Sequence, residues 1–263
     1  MTGRSPVADL HVHTTASDGT LTIDSLVPAA IEAGLELVAV TDHDVLHPEL
    51  DAPVLERDGV TIVRGIELRV EADVGRVDLL GYGVEPTPEL RAELERIQTD
   101  RIERGAAIIE AVEARLGVEL DVEPREGLGR PHIARAIERS EAPYDVERAF
   151  EELIGDDGPC FVPRDVTPFD RGRRLLAACC SIVGLAHPFR YDDPSAAIEL
   201  AAPLDAIERY YPYGFEVDPT PIETAIERYG LLALGGSDAH DDRLGRAGLD
   251  RTETDAIRAR LAV

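Results

Sequence analysis

Apolar and polar positions divide the chain into three stretches of different rhythm. In the first, short apolar runs alternate with amphipathic ones: 7–13 reads as a strand, 23–33 as a helix opened by Thr22 and stopped by Gly34, and 35–41 as an apolar strand. A weaker helical pattern covers 47–57, and strand patterns follow over 60–68 and 76–84. In the second stretch the period lengthens. PELRAELERIQTDRIERGAAIIEAVEARLG carries apolar residues at helical spacing up to Gly117, and RPHIARAIERS and YDVERAFEELIG read as two further helices. Strand rhythm returns over 182–187, 206–211 and 231–235, separated by helices near 195–201 and 219–229. The order predicts an α/β fold: a barrel of parallel strands with helical crossovers built from 1–87 and 174–263, with a small helical subdomain inserted over 88–173.

Composition narrows the setting. With 263 residues, 44% of them hydrophobic, the chain can bury one barrel core and an insertion. The residues ahead of the first histidine hold no apolar run of signal-peptide type, and no segment approaches the length of a membrane span, so a soluble cytoplasmic protein with no membrane partner is expected. Charge changes the picture more. There are 52 acidic against 27 basic side chains, a net −25, and every basic residue is arginine. Such a surface repels itself unless salt screens it, and the Debye length falls to ~3 Å at 1 M, which points to a salt-adapted, halophilic host. It also argues against long nucleic acid as a partner, so any phosphate recognition must be local. Cys160, Cys179 and Cys180 lack zinc-type spacing and read as small buried hydrophobes.

The chemistry lies in the histidines. Five of the seven sit in short runs that also carry a carboxylate or end a strand: His11 and His13 in DLHVHTTASDG, His43 in TDHD, His187 in LAHP and His240 in GSDAH. Imidazole and carboxylate donors gathered this way suit divalent metal ions and point to a metal-dependent hydrolase. His11 and His13, two apart on a strand, face one side. Asp18 follows in a turn. On a parallel barrel the carboxyl ends of strands converge, which brings Asp42–His43, Glu67, His187 and Asp238–His240 to one face. Asp42 and Asp44 read equally as groups orienting His43 and as turn residues, and His47 as a surface or helix-start residue. Gly235 and Gly236 suggest a tight strand-end turn. Neither a GxSxG elbow nor a P-loop is present.

In this order, DLHVHTTASDG, TDHD, GIE (65–67), LAHP and GSDAH resemble the polymerase and histidinol phosphatase (PHP) superfamily over almost the whole chain. GRPHIARAI (129–137) and FVPR (161–164) are similar to runs in its nucleoside 3′,5′-bisphosphate phosphatase branch. The resemblance implies a distorted seven-stranded barrel holding two to three divalent ions, Mn, Fe or Zn, with Mg as a further option. It puts His11, His13, Glu67 and Asp238 at one metal, with Glu67 bridging to a second held by His187, and Asp18, His43 and His240 at a third. Where the family usually has a histidine after GIE, this chain has Asp78, which can still ligate and shifts preference toward Mn²⁺ or Mg²⁺. Glu67, His187, Asp238 and His240 would surround the reacting centre, while Arg130, His132, Arg164 and Arg190 would hold phosphate oxygens.

The implied activity is hydrolysis of a phosphate monoester on a small, nucleotide-like substrate by water that the metals activate. Three alternatives stay open. The same metals could serve a phosphodiesterase or short-oligonucleotide 5′-3′ exonuclease, or a histidinol-phosphate phosphatase, and a non-catalytic metal-binding regulatory module belongs to a different class. Oligomeric state is not legible. The charge excess itself makes a prediction: raising KCl from about 0.1 to about 2 M should raise the thermal midpoint by on the order of 10 °C. A flat or falling midpoint by circular dichroism would remove the case for salt adaptation.

Overall fold

The computed structural model describes residues 5–261, which pack as two units. One unit comprises the residues up to Arg91 and those from Thr167 onward; the other is Ala92–Val166. In the first unit a nearly closed, barrel-like sheet follows the order β1 (Ala8–Val12), β2 (Leu37–Val40), β4 (Val60–Ala72), β5 (Gly75–Tyr82), β7 (Ile182–Leu185), β8 (Ala206–Tyr210) and β9 (Leu232–Gly235). Two short strands, β3 (Val54–Arg57) and β6 (Thr167–Pro168), pair with β4 off this path. Closure comes from β1 meeting the chain after β9: the His13 amide donates to the Ala239 carbonyl at 2.9 Å, and the Ala239 amide to the His11 carbonyl at 3.2 Å.

The expectation of an all-parallel barrel needs correction. β1–β2, β2–β4, β7–β8 and β8–β9 are parallel, but β4–β5 and β5–β7 are antiparallel. Only a short turn ending at Gly75 (φ 99°) joins β4 to β5, and so short a link permits only a hairpin. The helical pattern over 47–57 is likewise overturned. Pro48 and Pro53 interrupt it, and its end becomes β3, joined to β4 through Asp58 and Gly59, both at positive φ (50° and 84°).

Six helices flank the barrel unit or begin in it: α1 (Ile23–Glu32), α2 (Pro88–Leu116), α5 (Phe169–Ala177), α6 (Pro194–Glu199), α7 (Thr220–Tyr229) and α8 (Arg251–Leu261). The last was not evident from periodicity. Thr22 caps α1 as its sequence suggests, its side chain accepting from the Ser25 amide. Strand alternation sorts the core into two faces. Leu10, Leu37, Val63, Leu80, Ile182, Ala206 and Leu234, one from each of the seven strands, meet inside the barrel. Val38, Val40 and Ile62 point the other way, against Ile23, Leu26 and Ala30 of α1.

The second unit holds most of α2, with α3 (Arg130–Arg139), α4 (Val146–Ala149) and a π-helical turn, Phe150–Ile154. It has its own apolar cluster around Ile108, Val112, Leu128, Ile133, Ile137 and Leu153. Its packing boundary differs from the one drawn at 173: β6 pairs with β4, and Gly172 of α5 lies against Val70, so this segment belongs to the barrel unit. Among the described residues no helix is long and apolar enough to cross a membrane.

Close approach explains the paired glycines at the end of β9. A Cβ on Gly236 would lie 2.4 Å from both the backbone nitrogen and the Cβ of His11. Gly236→Ala should therefore cost about 2 kcal/mol and lower the thermal midpoint by about 4–8 °C in scanning calorimetry. An unchanged midpoint would show that β1 can move aside freely.

Candidate metal centre

Each donor reaches the centre by a local device. An isolated parallel bridge pairs His43 with Glu67 just beyond β2, with the Asp44 amide donating to the Glu67 carbonyl and the Glu67 amide to the Asp42 carbonyl. Asp42 does not face the cluster: its carboxylate accepts from the Thr14 amide and hydroxyl at 2.7 Å each and from Ser17 at 2.6 Å, fixing the turn that carries Asp18. Asp44 accepts from the Arg69 amide. His187 and Asp238 both take left-handed backbone conformations (φ 25° and 48°), which cost about 1–3 kcal/mol each and mark positions held by their surroundings. His47, expected at the surface, is buried instead, its Nδ1 accepting from the Glu49 amide.

The donors converge around Glu67. Its carboxylate lies 3.0 Å from His187 Nε2, 3.4 Å from His11 Nε2, 3.3 Å from His13 Nε2 and 2.8 Å from His43 Nδ1. Asp238 Oδ1 lies 3.0 Å from His13 Nε2 and 3.5 Å from His11 Nε2. On the outer side, His240 Nε2 is 3.2 Å and His43 Nε2 3.9 Å from Asp18 Oδ1. Four overlapping sets of donors result, each with its atoms within 4.8 Å of one another: His13–Asp18–His43–His240, His11–His187–Asp238, His11–His13–Glu67 and Glu67–Asp78–His187. All nine residues singled out in the sequence as metal donors thus come together. His13 also joins the outer set, which the sequence reading did not foresee.

Whether cations fit can be judged from the orphaned atoms. His11 Nε2, both ring nitrogens of His13, Glu67 Oε2, Asp18 Oδ1 and His187 Nδ1 are buried with no hydrogen-bond partner. Leaving such atoms unpaired costs about 1–3 kcal/mol apiece, and a divalent cation removes that cost for each carboxylate oxygen and for the one nitrogen of each imidazole that binds it, so the residues fit metal ions. The charges compensate in part. Burial opposes charge on His43, yet Glu67 beside it pushes the imidazole up to about 9. Burial would raise Glu67, but His43 and His11 hold it well below the usual carboxylate range. Burial, reinforced by the charge on His43, pulls His13 down.

Several contributors escaped sequence reasoning. Glu208 is fully buried in β8 and links two donors, its carboxylate 3.1 Å from His11 Nδ1 and accepting from the His187 amide at 2.7 Å. It thereby fixes which His11 nitrogen faces the cluster. The one available signal was an acid two residues from Ala206 in the strand AIERYY, on the same strand face as that buried residue. Asp78 stands opposite Arg69 in the β4–β5 register, and the guanidinium grips its carboxylate through two bonds of 2.8 and 2.7 Å. Asp78 Oδ2 still comes within 3.8 Å of His187 Nε2. Tyr191 accepts from the Asp78 amide, and Tyr211 donates to Asp238 Oδ2 at 2.7 Å.

The candidate phosphate residues divide between the units. Arg190 stands at the centre, donating to Tyr211 Oη at 2.9 Å and to Asp238 Oδ2 at 3.0 Å with its side chain about half exposed (54%). Arg130, His132 and Arg164 belong to the second unit. There Arg130 donates to the Ile154 carbonyl and the Asp156 carboxylate and lies against Phe150 and Phe161, while His132 accepts from the Gly129 amide and lines a cavity of about 490 Å³ with Arg125, Arg135 and Arg139.

Known proteins resemble this chain along most of its length. Residues 9–155 match the PHP domain family. The chain is 32% identical over 251 residues to a phosphoribosyl 1,2-cyclic phosphate 1,2-diphosphodiesterase of Eggerthella lenta, covering 89% of this chain and 94% of that one. It is 27% identical to a 3′,5′-nucleoside bisphosphate phosphatase of Chromobacterium violaceum, with coverage of 93% and 91%. The 5′-3′ exoribonuclease Rnm of Escherichia coli is 28% identical, with coverage of 91% and 87%. Among solved structures, an amidohydrolase of Chromobacterium violaceum with bound sulfate superposes at a TM-score of 0.75 with 24% identity, over 97% of this chain and 96% of that one, a likeness of fold.

If Glu208 orients His11, Glu208→Gln should weaken Mn²⁺ binding about 10- to 100-fold by calorimetric titration while leaving the far-ultraviolet circular dichroism unchanged. An unaltered isotherm would show that other contacts suffice to hold the imidazole.

Proposed function

The chain belongs to the PHP domain family and is a metal-dependent phosphoesterase, and from that premise we propose that it hydrolyses a phosphate monoester on a small, nucleotide-like substrate. The observation that carries the proposal is the pairing of the donor cluster with Arg190 at its edge. His11, His13, Glu67, His187, Asp238 and the outer group Asp18, His43 and His240 would hold the ions, with Asp78 as a further donor. When bound, divalent ions there would polarise the phosphoryl group and supply a deprotonated water near neutral pH. The protein's own part is positioning. Glu67, set among four imidazoles, holds the inner donors in one spacing. Arg190, already oriented by Tyr211 and Asp238, presents guanidinium N–H groups suited to phosphoryl oxygens. Arg69, tied to Asp78, keeps a second positive charge beside the inner donors.

The net charge of −25 supports a small substrate over a long polyanion, because general attraction to nucleic acid is missing. Phosphodiester hydrolysis is the second reading. It is favoured by the 32% identity to the Eggerthella lenta diphosphodiesterase and by the fact that the same donors serve attack on either ester.

Nucleoside 3′,5′-bisphosphates, cyclic phosphates, dinucleotides and histidinol phosphate, assayed side by side, separate these readings. The highest kcat/KM is expected on the bisphosphate, and preference for a diester would replace the first reading with the second. Chelation should abolish turnover, and His11→Ala and Asp238→Ala should each lower kcat/KM by at least about 100-fold. Parent-like rates from the chelated protein or from either variant would contradict a metal-dependent reaction at this cluster.

A further inference from the structure

Beside the metal centre the chain carries a run of aromatic rings, of which the proposed hydrolysis draws only on the Tyr211 hydroxyl. From the last residue of β8 the sequence YYPYGFE places Tyr211, Tyr213 and Phe215 in succession, with ring centroids 4.6 Å apart between the first two and 5.8 Å between the last two. Phe189 meets Tyr213 edge-on at 5.5 Å. One end is fixed at the centre: Tyr211 donates to Asp238 Oδ2 at 2.7 Å, its ring lies 5.4 Å from that of His187, and the Arg190 guanidinium lies over it at 5.9 Å. The other end reaches water, since Phe215 is 63% exposed. Phe215 and Ile31 are the exposed large hydrophobics among the described residues, in a chain with no tryptophan and only 5 Phe and 7 Tyr. Leaving a Phe ring in water forgoes about 1.5–3 kcal/mol of burial, and Phe215 differs from Ile31 in standing at the outer end of a run of rings that leads back to Asp238.

We propose that Tyr211, Tyr213 and Phe215, supported by Phe189, form a stacking platform for the nucleobase of the substrate, with Arg190 marking the phosphate end. This deepens the proposed function and rests on its small phosphoester substrate. The rings are tilted by 49° at each step, so they offer successive π-faces and not one flat sheet, with the exposed Phe215 ring at the outer end. A run of this kind, anchored by a hydroxyl and a guanidinium at the reacting centre, matches a molecule with phosphate at one end and a planar heterocycle at the other. Stacking reads a π-face and not an edge, so purine and pyrimidine nucleotides should both be accepted, while a phosphoribosyl ester without a base should bind more weakly.

The test compares the parent with Phe215→Ala, Tyr213→Leu and Phe215→Trp on adenosine 3′,5′-bisphosphate and on ribose 5-phosphate. For Phe215→Ala and Tyr213→Leu, KM for the nucleotide should rise about tenfold with kcat within about twofold, base-free kinetics should not change, and Phe215→Trp should keep the parent KM. Saturation-transfer NMR with adenosine 5′-monophosphate should show the strongest transfer to the adenine protons, lost in Phe215→Ala. Equal effects on both esters, or none on either, would overturn the platform. So would a Phe215→Ala variant that merely converts a dimer to a monomer in light scattering. Should the parent turn over neither ester, the phosphomonoester reading fails, and the transfer spectrum alone decides the platform: Phe215-dependent adenine signals uphold it, and their absence overturns it.

Discussion

The molecule is organised around imidazole and carboxylate groups that are buried while facing one another. Water cannot reach most of these atoms, and six of them find no hydrogen-bond partner. Burying polar groups this way is unfavourable unless something shared lies between them, and multivalent cations are the natural candidate for a set mixing nitrogen and oxygen donors. The left-handed backbone at His187 and Asp238 adds to the cost. An apolar interior drawn from all seven barrel strands offsets it.

Around the donors lies a layer of groups whose task is placement. Glu208 joins His11 to the His187 amide, Asp42 gathers Thr14 and Ser17, and Arg69 grips Asp78. Asp9 accepts from the Ser237 and Gly245 amides, and burial pushes its carboxyl up while those bonds pull it down. Each of these groups restrains a segment that bears a donor, so the cluster is held by several elements at once. Rigid placement of this kind lets ions and substrate bind without first reorganising the protein. The aromatic run from Tyr211 to Phe215 extends the same logic outward, from where charge is handled to where a flat group can rest.

Much of this was legible in the chain. Donor positions stood out because short motifs carry them, and His43, His187 and Asp238 follow strands that periodicity reveals; Glu67, expected at a strand end, instead lies midway along β4, which runs on to Ala72. The structure gathers His11, Glu67, His187 and Asp238 although 227 positions separate the first from the last (238 − 11). What stayed hidden depends on pairing across the sheet. Arg69 becomes meaningful only once it stands opposite Asp78 in the β4–β5 register, and Glu208 only once β8 turns it inward toward His11. The antiparallel strands escaped for the same reason, since alternation gives a strand but not its direction. The helix pattern over 47–57 misled because Pro48 and Pro53 were outweighed by apolar spacing, although Asp58–Gly59 carried a hairpin signal.

Anomalous diffraction from crystals soaked in Mn²⁺, recorded on both sides of the manganese edge, bears most directly on the polynuclear centre. Strong peaks should lie between Glu67 and His187 and within the group His13, Asp18, His43 and His240. A map without peaks there, with direct hydrogen bonds linking the imidazoles to the carboxylates in protein that still hydrolyses phosphoesters, would contradict it.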